Sequence, residues 1–234
     1  MVKKKIKLYA DLANLNKILI LKNEKNISGF TTNPTILRKN NIKNYNDFML
    51  KCSKLVYPKP VSFEVISDNP NLILEEAIKI GKINKNVFVK IPIVNSKGLK
   101  LYKVIKELSL LGLNLNITAV MTKNQIKNIF RNLHNTNAII SIFAGRIADT
   151  GRDPIEIVNY AIKNKSFKKI NILWASPREV FNFYQAQNIG CDIITMTPEL
   201  IKKLKLKNYN LEKYSVDTAK MFFNDAKKSK LKIL

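Results

Sequence analysis

Lys90 lies in the run Val87-Phe88-Val89-Lys90-Ile91-Pro92, flanked by apolar, strand-forming residues. Most of the chain's 36 lysines belong on a solvated surface, but an amine enclosed by such neighbours does not. Desolvation disfavours an ammonium, and the neutral amine it favours attacks a ketone carbonyl to give a Schiff base. Residue chemistry alone leaves a second reading open, in which a buried Lys90 is simply neutralised by Glu64 or Asp11. Other polar side chains also interrupt apolar runs. Asp11 closes the first run, and Thr31-Thr32-Asn33-Pro34 follows the second. Glu64 stands within Val61-Ser62-Phe63-Glu64-Val65. Asn114, Asn116 and Thr118 alternate with Leu115 and Ile117, Ser141 interrupts Ile139–Phe143, and Ser176 follows Ala175. Burying all of them without partners would cost roughly 1–3 kcal/mol each, so as a set they point to a polar site. A structural hydrogen bond remains an adequate explanation for any single one.

These residues need elements to hold them. Strands are expected at Ile6–Ala10, Ile27–Thr31, Val61–Val65, Val87–Ile91, Leu113–Thr118, Ala138–Phe143, Ile170–Ala175 and Asp192–Met196. Segments with apolar residues three and four apart lie between them, such as Leu72–Ile80 and Leu99–Leu110. Eight strands, each followed by a helix, is the pattern of an α/β fold of the (β/α)₈ TIM-barrel type, and 234 residues suit one such domain spanning 1–234. A doubly wound open sheet is the alternative. In a barrel, active-site groups gather at the C-terminal ends of the strands, where these polar residues fall. The segment from Tyr214 to Leu234 reads as an extra helix with Val216, Ala219, Met221, Phe222 and Phe223 as its apolar positions.

Composition narrows the function classes. His134 is the only histidine, placed at a helix end, and Cys52 and Cys191 are the only cysteines, so neither a His-rich nor a Cys-rich zinc site is expected. No glycine-rich phosphate loop of the nucleotide-binding kinds occurs, and no cofactor is expected. No apolar run reaches the ~18 residues of a membrane span. The basic start Met1-Val2-Lys3-Lys4-Lys5 lacks the apolar stretch of a signal peptide, and the expected location is cytoplasmic. The net charge of +24 invites nucleic acid as a partner. Against that, the lysines are spread along the chain, asparagine is also abundant, and arginine is restricted to Arg38, Arg131, Arg146, Arg152 and Arg178. A coding bias toward A-rich codons accounts for this, and no aromatic–basic interleaving supports nucleic-acid binding. A non-catalytic barrel binding an anionic polymer is the corresponding remote alternative.

The ordered set of strand-end motifs resembles the transaldolases and the related fructose-6-phosphate aldolases. The motifs are Tyr9-Ala10-Asp11-Leu12-Ala13, Gly29-Phe30-Thr31-Thr32-Asn33-Pro34-Thr35, Val61–Val65, Val89-Lys90-Ile91-Pro92, Asn116-Ile117-Thr118, Phe143-Ala144-Gly145-Arg146 and Ala175-Ser176-Pro177-Arg178. The resemblance implies a compact (β/α)₈ enzyme that moves a dihydroxyacetone unit from a ketose phosphate, fructose 6-phosphate or sedoheptulose 7-phosphate, to an aldose phosphate in pentose-phosphate-type metabolism. It implies Lys90 as the imine-forming nucleophile, Asp11 as the base at the C4 hydroxyl and Glu64 as a proton shuttle acting through water. Asn33 and Asn116 would hold the sugar, Thr118 and Ser176 would position water and substrate, and Arg146 and Arg178, helped by Ser141, would hold the phosphate. A homo-oligomer is implied as well. Glu64 and Phe143 are similar to the transferases, whereas the sister aldolases typically carry Gln and Tyr there, so cleavage and synthesis without transfer is the runner-up. The chain departs from the family at Pro177, which replaces the more usual residue after Ser176.

Overall fold

The computed structural model describes residues 5–134, 136–165 and 169–230. Residues 1–4 of the basic start and the last four positions of the anticipated tail helix lie outside this range. The strands are β1 (Lys7–Asp11), β2 (Ile27–Thr31), β3 (Val61–Glu64), β4 (Val87–Pro92), β5 (Leu115–Val120), β6 (Ala138–Ile142), β7 (Ile170–Trp174) and β8 (Ile193–Met196). The helices are α1 (Leu15–Leu21), α2 (Pro34–Lys39), α3 (Tyr45–Val56), α4 (Pro70–Gly81), α5 (Tyr102–Leu110), α6 (Lys123–Asn132), α7 (Ala144–Ala148), α8 (Ile155–Lys163), α9 (Phe181–Asn188), α10 (Pro198–Lys203) and α11 (Leu211–Lys228). All eight strands pair in parallel in chain order, and β8 pairs with β1, closing a (β/α)₈ barrel rather than an open sheet. Parallel strands buried on both faces need apolar side chains toward the helices. Ile91, Ile117, Ile140 and Ile172 meet that need and are fully buried. Inside the barrel Tyr9, Ile139, Leu173 and Ile193 pack together with Phe88 against them. A Cβ on Gly29 would lie 2.6 Å from the Tyr9 ring, so the glycine leaves room for an aromatic plug.

β5 and α5 depart from their expected bounds for local reasons. β5 starts at Leu115, because Asn114 turns its amide to the carbonyls of Lys85 and Val87 at the strand's N-terminal end. The strand then continues to Val120 through a register shift, with Ala119 at a left-handed φ of 59°. α5 begins at Tyr102 rather than Leu99, because Gly98 turns at φ 80° and Val94 bridges Lys100 before the helix can start. His134 follows α6, where its backbone N–H donates to Ser109 Oγ.

The chain divides into two compact units, Met1–Ile201 and Lys202–Leu234. Within the second, Asn210 caps α11 by accepting from the Lys213 N–H, and the Tyr209 hydroxyl donates to Asp217. Its apolar positions are exposed, Phe222 by 64% and Phe223 by 69%. No helix among the described residues is long and apolar enough to cross a membrane.

Candidate active site

The C-terminal ends of the strands surround a cavity of about 390 Å³. Lys90 reaches its wall from β4 and is 7% exposed. Parallel pairing places Glu64 of β3 directly beside Lys90, and Asn116 of β5 on its other side. Side chains at matched register in parallel strands share a face, which brings the Lys90 ammonium to 2.9 Å from Glu64 Oε2. Lys90 Nζ also donates to the Thr32 carbonyl at 3.0 Å. The buried amine therefore has a carboxylate partner. That geometry satisfies the bland reading of an ion pair and also supplies an adjacent proton acceptor.

Asp11 stands at the end of β1. Thr31 Oγ1 donates to its Oδ1 at 2.8 Å, and Asn33 Nδ2 donates to Oδ2 at 3.3 Å. Burial pushes the Asp11 carboxyl above the usual range. The Lys90 charge and the Thr31 hydrogen bond counter this in part, and the Glu64 charge adds to it. Asn33 acts twice, because its Oδ1 also caps α2 by accepting from the Ile36 N–H, with Pro34 preset at the first helical position. One residue thus sets both the start of a helix and the orientation of an acid. Thr118, Ser141, Arg146 and Ser176 complete the wall with Phe143 and Ala175. Ser176 sits at a left-handed φ of 59°, and a Cβ on Gly145 would lie 1.6 Å from the Ser176 carbonyl oxygen. The β7 end can close over the start of α7 only because residue 145 is glycine. A wider cleft of about 550 Å³, lined by Tyr45, Met49, Leu50, Ile66, Glu76 and Ile80 among others, shares Glu64 but has neither Lys90 nor Asp11 on its wall.

Residues 8–233 match the family model described as transaldolase/fructose-6-phosphate aldolase. The chain belongs to the transaldolase/fructose-6-phosphate aldolase family. A protein of Thermoplasma acidophilum named "Probable transaldolase" is 34% identical over 203 residues, covering 85% of this chain and 87% of that one. One of the same name from Nitrosopumilus maritimus is 30% identical over 222 residues, covering 92% and 96%. Among solved structures, dihydrodipicolinate synthase from Rhodopseudomonas palustris superposes with a TM-score of 0.58 at 13% identity, covering 97% of this chain and 81% of that one. Orotidine 5'-monophosphate decarboxylase from Metallosphaera sedula gives 0.55 at 11%, covering 82% and 88%. At those identities the likeness concerns the barrel alone. The family model and the Thermoplasma acidophilum and Nitrosopumilus maritimus relatives indicate an enzyme of the transaldolase or aldolase kind.

Of the residues singled out in this transaldolase-family chain, Lys90, Asp11, Glu64, Asn33, Thr118, Ser141, Arg146 and Ser176 line one cavity. Asn116 and Arg178 do not. Asn116 is fully buried, its amide donating to Ser62 Oγ at 2.9 Å and its carbonyl accepting from Ser141 Oγ at 2.7 Å. It braces three strands beneath the cavity. Arg178 points its guanidinium at Asp149, with Nε 3.1 Å from Oδ1 and Nη2 on Oδ2. Two threonines were not assigned from sequence. Thr31 Oγ1 and Thr195 Oγ1 are 2.5 Å apart, forming a hydroxyl chain that ends on Asp11. Alternation along Ile193-Ile194-Thr195-Met196 was the available signal for Thr195.

Thr118 Oγ1 is buried without a hydrogen-bond partner among the described residues, on a strand bent by the Ala119 bulge, a device that re-aims side chains at sites. Such a hydroxyl costs stability unless a bound molecule uses it. Thr118→Val is expected to maintain or raise the melting temperature while lowering kcat/KM about tenfold, the worth of one ordinary hydrogen bond to substrate. Thermal melts and steady-state rates check this, and a fall in both would mark the hydroxyl as structural.

Proposed function

We propose that the chain is a transaldolase working through an imine on Lys90, with fructose 6-phosphate or sedoheptulose 7-phosphate as donor and an aldose phosphate as acceptor. The observation that carries this is the juxtaposition of Lys90, Glu64 and Asp11 on one small cavity at the C-terminal ends of the strands. In this reading Lys90 gives up a proton toward Glu64, and the neutral amine attacks C2 of the ketose. Water leaves the carbinolamine with a proton carried by Glu64 directly or through one water. Asp11 then takes the proton of the C4 hydroxyl. The C3–C4 bond breaks, its electrons flow into the iminium, and the aldose fragment departs. The enamine left on Lys90 adds to the aldehyde of the acceptor with the steps reversed. Asn33 and Thr118 hold hydroxyls, Ser176 orients the bound sugar, and Arg146 with Arg178 and Ser141 receives the phosphate, since arginine's fork matches that anion. A location in the cytoplasm and a homo-oligomer belong to the same reading, the latter supported by the exposed Met221, Phe222 and Phe223.

Release of aldose from fructose 6-phosphate, measured with and without erythrose 4-phosphate, tests the reaction. Product that forms equally fast without acceptor would make the chain an aldolase. Glu64→Gln sharpens the comparison, because glutamine keeps the shape and cannot carry a proton at neutral pH. Transfer is expected to fall by about 10²-fold, with cleavage falling less, the direction implied by the Gln that the sister aldolases carry at this position. Equal losses in both would show that Glu64 does not choose between the two outcomes.

A further inference from the structure

Asp149 is the C-cap of the short helix α7, one turn beyond Arg146. A carboxylate at a helix C-terminus meets the negative end of the helix dipole, so a neighbouring cation is favourable there. Arg178 supplies it side-on, through Nε and Nη2. Hydrogen bonding from Arg178, reinforced by the charges of Arg178 and then Arg146, holds the Asp149 carboxyl below its ordinary range. One acid therefore binds Arg178 directly and feels the charge of Arg146, the two arginines that the proposed reaction assigns to phosphate. The backbone under Arg178 is anchored, its N–H donating to Asn182 Oδ1 at 2.8 Å, and the Asn182 amide is itself held by Gln185. The side chains of the pair remain half exposed, at 50% for Arg178 and 47% for Asp149. Anchored backbone with accessible side chains allows the guanidinium to change partner without moving the β7 end. While it is held by Asp149, Arg178 is absent from the cavity wall and Arg146 is present.

We infer that Asp149 sets the site's selectivity for phosphorylated over unphosphorylated sugars: its carboxylate occupies the guanidinium fork of Arg178, so that a substrate phosphate recruits Arg178 only by exchange with Asp149. This rests on the assignment of Arg146 and Arg178 to phosphate, and not on the imine chemistry.

The test is a double-mutant cycle on binding of glucitol 6-phosphate, whose C2 alcohol cannot form an imine, by titration calorimetry at low salt. The proteins are the wild type, Asp149→Asn, Arg178→Ala and the double variant, with glucitol as the uncharged control. An exposed ion pair withholds a modest amount, so Asp149→Asn should tighten glucitol 6-phosphate by about three- to fivefold and leave glucitol unchanged. In the Arg178→Ala background the same change should have almost no effect. Asp149→Ala, which removes the carboxylate differently, should agree with Asp149→Asn, and melting curves confirm that each variant is folded. Weaker or unchanged binding in Asp149→Asn would mean that Asp149 orients Arg178 rather than competing for it. A gain that persists without Arg178 would reduce the effect to overall charge. Both outcomes overturn the inference, as does a wild type that does not distinguish glucitol 6-phosphate from glucitol. A cycle that behaves as expected in a protein without transfer or cleavage activity would leave the inference standing and remove only the proposed reaction.

Discussion

Lys90→Met is expected to abolish transfer and cleavage, with losses of at least about 10⁴-fold, the scale seen when a covalent nucleophile is removed. Borohydride with fructose 6-phosphate should inactivate the wild type and leave a three-carbon adduct on the peptide carrying Lys90, and should leave the variant unlabelled. Activity alone does not separate the catalytic reading from the structural one. Lys90 and Glu64 form a largely buried ion pair at 2.9 Å, and removing one partner of such a pair typically destabilises by about 3–5 kcal/mol because the other charge is left uncompensated. A second variant resolves this. Lys90→Met with Glu64→Gln removes both charges and is expected to recover much of the lost stability, since buried pairs are replaceable by neutral groups of similar volume. It should recover neither rate nor trapping. If the double variant regains turnover, or if borohydride marks another lysine, the assignment of the nucleophile is wrong and the pair is structural.

Asp11→Asn is expected to lower kcat by about 10²–10⁴-fold, the usual worth of a positioned general base, while raising the melting temperature at neutral pH. Burial holds the folded-state carboxyl above its unfolded value. A group shifted in that direction contributes its full stability below the unfolded pKa and loses it as pH rises through the folded pKa. Where pH exceeds the folded-state pKa, the ionised Asp11 is therefore a net liability to the fold, and asparagine, uncharged and similar in shape, relieves it. The gap between variant and wild type should narrow as pH falls through the acid range. The acid limb of kcat/KM should lie above the ordinary aspartate range and move higher in Thr31→Val, which deletes the hydrogen bond favouring the charged form. A lower melting temperature for Asp11→Asn at neutral pH would show that the bonds from Thr31 and Asn33 and the charge of Lys90 outweigh the cost of burial.

The alternation of side chains along buried strands makes much of this arrangement readable from the chain itself. A polar residue inside an apolar strand has only two destinations, the helices or the barrel interior, and helices cannot satisfy a lysine or a carboxylate cheaply. Lys90, Glu64 and Asp11 are legible for that reason, as are Thr118 and Ser141, and as are seven of the strands to within one residue at each end. β5 is displaced because its boundaries depend on where Asn114 finds hydrogen-bond partners and on a bulge at Ala119, neither of which alternation encodes. Local chemistry also does not distinguish Asn116, satisfied by Ser62 and Ser141 beneath the cavity, from Thr118, two residues on and unsatisfied at its wall. Both share the inward face, and depth along the barrel axis separates them. Three relations exist only in the closed fold: Glu64 beside Lys90 through parallel register, Thr195 against Thr31 across 164 residues once β8 returns to β1, and Arg178 on Asp149 between the β7 and β6 ends. The amino-acid sequence determined which residues must face inward. Strand register and barrel closure decided which of them meet, because those contacts are set by pairing between chain segments far apart rather than by neighbours along the chain.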